Sequence, residues 1–99
     1  MARYRAFAGP VEDGYLLDVQ TELLDHLRTR VVVPLLPSAE TPAPIRKLNP
    51  VFEIGGRKLV MATQLIATVP VARLGESRFS LAAHQEQIEG ALEMLFQGF

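Results

Sequence analysis

Val51-Phe52-Glu53-Ile54-Gly55-Gly56-Arg57-Lys58-Leu59-Val60-Met61 is the stretch on which the fold turns. Two alternating runs flank a Gly-Gly pair, and glycine reaches the positive φ of a two-residue hairpin turn without a Cβ clash. The stretch therefore predicts a β-hairpin, and the same grammar extends toward the N-terminus. Arg3 to Ala8 places Tyr4, Ala6 and Ala8 on one face and Arg3, Arg5 and Phe7 on the other. Turn residues from Gly9-Pro10 to Asp13-Gly14 lead to a returning strand over 15–20, so these two strands are expected to pair. Arg30 to Leu36 is β-branched and nearly all apolar, which predicts a third strand buried on both faces. Pro34 has no N–H to give to a ladder, so this strand is expected at a sheet edge or with a bulge there.

Pro37 to Pro50 has a different character. Prolines at 37, 42, 44 and 50 among Ser38, Ala39, Thr41 and Ala43 describe a surface loop rather than a regular element, with a functional lid as the second reading. Beyond the hairpin, 63–67 reads as one helical turn and 68–72 as a short last strand. The pattern changes after Gly75. Leu81, His84, Ile88, Leu92, Leu95 and Phe99 recur at helical spacing, with Ala91 and Phe96 beside them, and predict an amphipathic helix over about residues 81–97. Ser80 is its expected N-cap and Gly98 its expected C-cap. Gly90, inside the helix, costs about 1 kcal/mol relative to alanine, which suggests a close contact at that point. The expected organisation is five or six short strands followed by one C-terminal helix, in a single domain spanning 1–99.

Composition excludes several classes. The 99 residues carry ten Lys+Arg against eleven Asp+Glu, no Cys and no Trp. A chain of this size buries about 65% of its extended surface, enough for one modest core. At 48% hydrophobic and 21% charged residues it falls outside the disordered class. The absence of cysteine removes disulfides, thiol nucleophiles and thiolate metal sites. A formal charge of −1 gives no bulk attraction to nucleic acid or anionic lipid. Neither a targeting segment nor a membrane span is expected, and the default reading is a cytoplasmic protein.

Catalytic signals are sparse. The Gly-Gly pair lacks the following helix and Lys-Ser/Thr of a phosphate loop. His26 and His84 do not share a metal-ligand spacing and read as surface or capping residues, so no metal and no cofactor is expected. Asp18, Glu22, Asp25, His26, Arg28 and Arg30 form a denser polar cluster. It reads first as a solvated loop between two strands, and second as the acid–base and cationic set a ribonuclease needs. At the C-terminus, Leu92, Leu95, Phe96 and Phe99 either complete the core or present Gln97-Gly98-Phe99 to a protein partner; periodicity does not decide between them.

Five segments taken together carry a resemblance. Asp18-Val19-Gln20-Thr21-Glu22-Leu23-Leu24-Asp25, Arg30-Val31-Val32-Val33-Pro34-Leu35, Pro50-Val51-Phe52-Glu53-Ile54-Gly55, Ala67-Thr68-Val69-Pro70-Val71 and the Ile-x-x-Ala-x-x-x-x-Phe of Ile88 to Phe96 resemble, in order, segments of the CcdB family. These are bacterial toxins of toxin–antitoxin pairs that poison DNA gyrase. The resemblance implies a mainly β fold with one C-terminal α-helix, an SH3-like β-barrel of the type shared with MazF and Kid, forming a homodimer through the sheet and helix. It implies a protein without enzymatic activity that binds the gyrase A subunit, traps the cleaved-DNA complex and is neutralised by a CcdA-like antitoxin. The family's gyrase contacts map onto Leu23, Glu93, Gln97, Gly98 and Phe99. Gly98 matches the family residue and Leu23 is a conservative replacement. Phe99 stands where the family has Ile, Gln97 where it has Trp, and Glu93 where it has Asn.

Two alternatives stand beside this reading. One is a CcdB-like dimer that no longer poisons gyrase, because the aromatic anchor that would dominate the interface is replaced by Gln97. The other is an endoribonuclease of the MazF/Kid type, with Asp25, His26, Arg28 and Arg30 as its active site, since one barrel can carry either function.

Overall fold

Gly55 and Gly56 have φ of 59° and 81°, the left-handed pair that a tight hairpin turn requires. In the computed structural model, which describes residues 3–41 and 43–98, this turn joins β4 (Val51–Ile54) to β5 (Arg57–Met61). The register pairs Phe52 with Leu59, both buried, and Glu53 with Lys58, which sets opposite charges across the exposed face. The first hairpin also forms as expected: β1 (Arg5–Ala8) runs antiparallel to β2 (Tyr15–Asp18) with Ala6 opposite Leu17.

β3 (Thr29–Pro37) organises everything else. Its one edge pairs with β2, while its other edge pairs first with β6 (Ala67–Pro70) through residues 29–32 and then with β5 through residues 35–37. Pro34 therefore lies in the central strand, contrary to the edge or bulge expected for it. The reason is local. Its carbonyl accepts from Ala62 N–H at 2.9 Å, on the side where β6 gives way to β5. The N–H and C=O of a strand residue point the same way, so the missing donor falls in the gap between two partner strands.

Seven strands form among the described residues, in the order β4-β5-β3-β2-β1-β7 with β6 beside β3, a curled, half-barrel-like sheet. The additional strand, β7 (Ser77–Ser80), pairs with β1 across a bulge, so 67–70 is not the last strand. Four residues after Gly75 were too short to show a period. Phe79 nevertheless packs edge-on against Tyr15 at 4.9 Å.

The helix α1 (Gln85–Gln97) starts later than the apolar period suggests, because a separate 3₁₀ turn occupies Ala82–His84. Ser80 belongs to β7, and its hydroxyl accepts from Ala82 N–H at 3.1 Å at the entry to that turn, so it does not cap α1. Gly98 ends α1 as expected: at φ 81° its N–H donates to Met94 O at 3.0 Å. Ile88 and Ala91 are fully buried against Tyr4, Leu17, Leu35 and Met61 on one face of the sheet. Tyr4 Oη donates to Glu89 Oε2 at 3.0 Å, tying the helix to the start of β1. Burial and that carboxylate push the phenol pKa up. Phe96, on the helix's other side, is 70% exposed.

Of the proline-rich segment, Pro37 ends β3 and a 3₁₀ turn spans Ser38–Glu40, contrary to the loop expected there, and residues 43–50 form an irregular surface loop pinned by Asn49. Its Oδ1 accepts from Ile45 N–H, and its Nδ2 donates to Met61 O and Gln64 Oε1. Pro42 lies outside the described residues.

Gly90 departs from expectation. A Cβ there would meet nothing nearer than Lys47 Cε at 3.8 Å, an ordinary van der Waals distance, so no close approach requires glycine. Gly90→Ala is therefore expected to stabilise the fold by about 1 kcal/mol, a rise of roughly 4–8 °C in midpoint, measurable by thermal denaturation.

Candidate functional site

The residues joining β2 to β3 build the first part of the site. Asp18 is the last residue of β2, and the register sets it opposite Val32. Arg30 lies two residues before Val32 on the same face of β3, which brings its guanidinium onto the Asp18 carboxylate. Arg30 Nε donates to Asp18 Oδ2 at 3.0 Å, and Nη2 lies 2.7 Å from the same oxygen as an ion-pair contact without hydrogen-bond geometry. Nη1 donates to Asp25 Oδ1 at 2.6 Å. Asp18 and Arg30 are both wholly buried, while Asp25 is one-third exposed at the loop surface.

The cluster is thus not the solvated loop that charge density alone suggested. Glu22, His26 and Arg28 are exposed, but Asp18 and Arg30 are internal. The reason is pairing: neither charge could be desolvated alone, and antiparallel pairing of β2 with β3 delivers each to the other. Burial pushes the Asp18 carboxyl above its usual range, against the opposing pull of Gln20 N–H and Arg30. Burial also acts to lower the Arg30 guanidinium, and the hydrogen bonds to Asp25 and Asp18 outweigh it, so the group is held more firmly protonated. The hydrogen bond from Arg30 holds the Asp25 carboxyl below the usual carboxylate range.

Gln20 completes the arrangement. Its N–H donates to Asp18 Oδ1 at 3.0 Å, its Nε2 to Leu24 O at 3.1 Å, and its Oε1 accepts from Val31 N–H at 2.9 Å. Above this network a single 3₁₀ turn spans Glu22–Leu24, with Thr21 Oγ1 accepting from Leu23 N–H. The turn buries nothing and displays Leu23 at 85% exposure, with Leu24 and Leu27 partly exposed beside it.

The second part of the site is the end of α1. Glu93 and Gln97, four residues apart on one face, are both exposed, as is Gly98. Phe99 lies outside the described residues. Leu23 sits on a separate loop, and no hydrogen bond or ring contact among the described residues joins it to Glu93, Gln97 or Gly98. His84 precedes α1, half-buried, with its ring against Phe52 at 5.1 Å, and His26 is exposed. Among the described residues no group of three or more His, Asp or Glu is placed to hold a metal ion.

Chemically, Arg30 is clasped between two carboxylates inside the protein and is not free to meet a phosphate. Sequence reasoning underrated Arg30 and overlooked Gln20. The available signal was a lone charge in each of two otherwise apolar segments read as strands, Asp18 in 15–20 and Arg30 in 30–36; their pairing is seen only in the structure.

The fold and site define a small curled-sheet protein with one C-terminal helix, an exposed leucine loop and an exposed helix end. The family model for CcdB protein matches residues 3–98, and the chain belongs to the CcdB family. Among solved structures, one described as the crystal structure of Mtb toxin is similar with a TM-score of 0.72 at 21% identity, covering 95% of this chain and 100% of that one. That likeness shows a common fold.

Removing the guanidinium leaves the wholly buried Asp18 carboxylate without its ion pair, so Arg30→Met is expected to cost about 3–5 kcal/mol in urea unfolding. Asp25, whose folded pKa is depressed, contributes stability above the ordinary carboxylate range and loses it as pH falls through the depressed value. Asp25→Asn should therefore be less stable than wild type at pH 7, and the gap should narrow as the pH is lowered below the ordinary carboxylate range.

Proposed function

We propose that this chain is the toxin of a type II toxin–antitoxin pair, a cytoplasmic homodimer that binds the DNA gyrase A subunit and traps the cleaved-DNA complex until a CcdA-like antitoxin releases it. The family match over residues 3–98 carries the reading, and the structural neighbour described as a toxin is consistent with it. The reading requires no catalysis and no cofactor: the chain acts by occupying a protein surface. Leu23, Glu93, Gln97, Gly98 and Phe99 are the proposed gyrase contacts, and the four that the structure describes are exposed.

Support for a homodimer comes from the sheet face turned away from α1. Leu16, Pro34 and Leu36 line a wholly apolar cleft there with Val11 and Leu65, which are 43% and 55% exposed. Such a face is suited to burial against a second copy. No helix among the described residues is long and apolar enough to cross a membrane.

Gln97 and Glu93 favour a second reading, a CcdB-family dimer that no longer poisons gyrase. Gln97 cannot supply a large apolar anchor, and Glu93 carries a charge that needs a cationic partner when buried. Phe96 keeps an exposed aromatic ring beside Gln97 and favours the first reading. The ribonuclease alternative loses its strongest cation to the buried Asp18–Arg30–Asp25 contact.

Induced expression in a bacterial host is expected to arrest growth with accumulation of gyrase–DNA cleavage complexes. Gln97→Trp combined with Glu93→Asn should increase potency by about a hundredfold if the anchor supplies on the order of 3 kcal/mol. Harmless expression of wild type, with toxicity only in the double variant, would select the second reading. RNA cleavage by the purified chain that is lost in Arg28→Ala would replace both. Sedimentation at micromolar concentration should show a dimer.

A further inference from the structure

The loop over residues 21–28 poses a physical problem. It exposes three leucines, buries no residue of its 3₁₀ turn, and its short backbone hydrogen bonds, such as Leu24 N–H to Thr21 O and Leu27 N–H to Leu24 O, are local. A segment of this kind has little apolar burial to order it. Its order comes from below. Arg30 Nη1 holds Asp25 at 2.6 Å, Gln20 Nε2 holds the Leu24 carbonyl at 3.1 Å, and Val71 N–H holds the Arg28 carbonyl at 2.8 Å. Two of these three anchors are side chains of a buried polar network that also includes Asp18. For stability alone such a network is a poor choice, because apolar residues of similar volume often do as well or better. What it supplies is a fixed geometry for the loop above it.

We propose that Arg30 and Gln20 are positioning residues, which lock the 21–28 loop into one conformation so that Leu23, Leu24 and Leu27 meet the protein partner already ordered. The inference rests on the gyrase A reading given above for the partner's identity. The loop's ordering cost is met on folding, and less of the binding free energy is then spent on immobilising it.

Two variants test this. Arg30→Lys keeps one buried positive charge, but a single ammonium cannot span both carboxylates as the planar fork does. Gln20→Met removes the tether to Leu24 and leaves the ion pairs in place, so the test survives if Arg30→Lys fails to fold. Amide hydrogen exchange and titration with a purified gyrase A fragment are measured on the full chain, with Ile88→Val as a core variant that lowers stability without touching the loop. The expected result is exchange about tenfold faster at Leu24 and Leu27 with strand amides unchanged apart from Val31, whose N–H loses the Gln20 acceptor in Gln20→Met, and affinity about tenfold weaker, in both positioning variants and not in Ile88→Val. Faster loop exchange with unchanged affinity would overturn the proposal, as would unchanged loop exchange or an equal loss of affinity in Ile88→Val. If wild type does not bind the gyrase A fragment, the functional reading fails by itself. Exchange at Leu24 and Leu27 then still decides whether Arg30 and Gln20 hold the loop.

Discussion

A guanidinium with no access to solvent has to be neutralised where it stands, and this requirement fixes the geometry around Arg30. Asp18 ends β2, Asp25 lies in the connecting loop and Arg30 opens β3, so one cation links two strands and their connection. A one-residue slip of β2 against β3 would turn either Asp18 or Arg30 to the opposite face and leave a buried charge unpaired. β3 in turn gives β2, β5 and β6 their hydrogen-bonding edges. The ion pair therefore enforces the register on which the rest of the sheet is aligned.

The two faces of the sheet then take different roles. One receives Ile88 and Ala91 of α1 and forms the main core with Tyr4, Leu17, Leu35, Phe52 and Met61. The other carries the buried ion pair and, farther along, the apolar cleft lined by Leu16, Pro34 and Leu36. Because α1 is anchored by its middle, its last turn and the left-handed Gly98 remain at the surface with Glu93, Phe96 and Gln97. A rigid core thus carries two displayed segments, the helix end and the leucine loop.

Local chemistry was legible in the sequence where it was self-contained. Gly55-Gly56 specified its hairpin, the spacing of Ile88 and Ala91 specified the buried helix face, and Gly98 specified the helix end. Features that depend on pairing between distant segments were not legible. Pro34 looked like an edge residue because its tolerance in a central strand depends on where β6 gives way to β5. Arg30 and Asp18 looked like surface charges because their burial depends on register. Ser77 to Ser80 was too short to carry a period, and Ser80 was placed on the helix because the 3₁₀ turn at 82–84 continues the apolar spacing. Of the candidate site, Leu23, Glu93, Gln97 and Gly98 came from family resemblance and lie at the surface. The network beneath Leu23 is evident only in three dimensions.

The proposed function has this CcdB-family chain meet gyrase A through two exposed segments, the leucine loop and the helix end. The most direct test is a hydrogen-exchange footprint of the intact protein, free and bound to a purified gyrase A fragment. Protection is expected to concentrate at residues 21–28 and 93–98, with β4, β5 and the 43–50 loop unchanged. A stable complex whose protection lies elsewhere, or no complex at all, would contradict the proposed function.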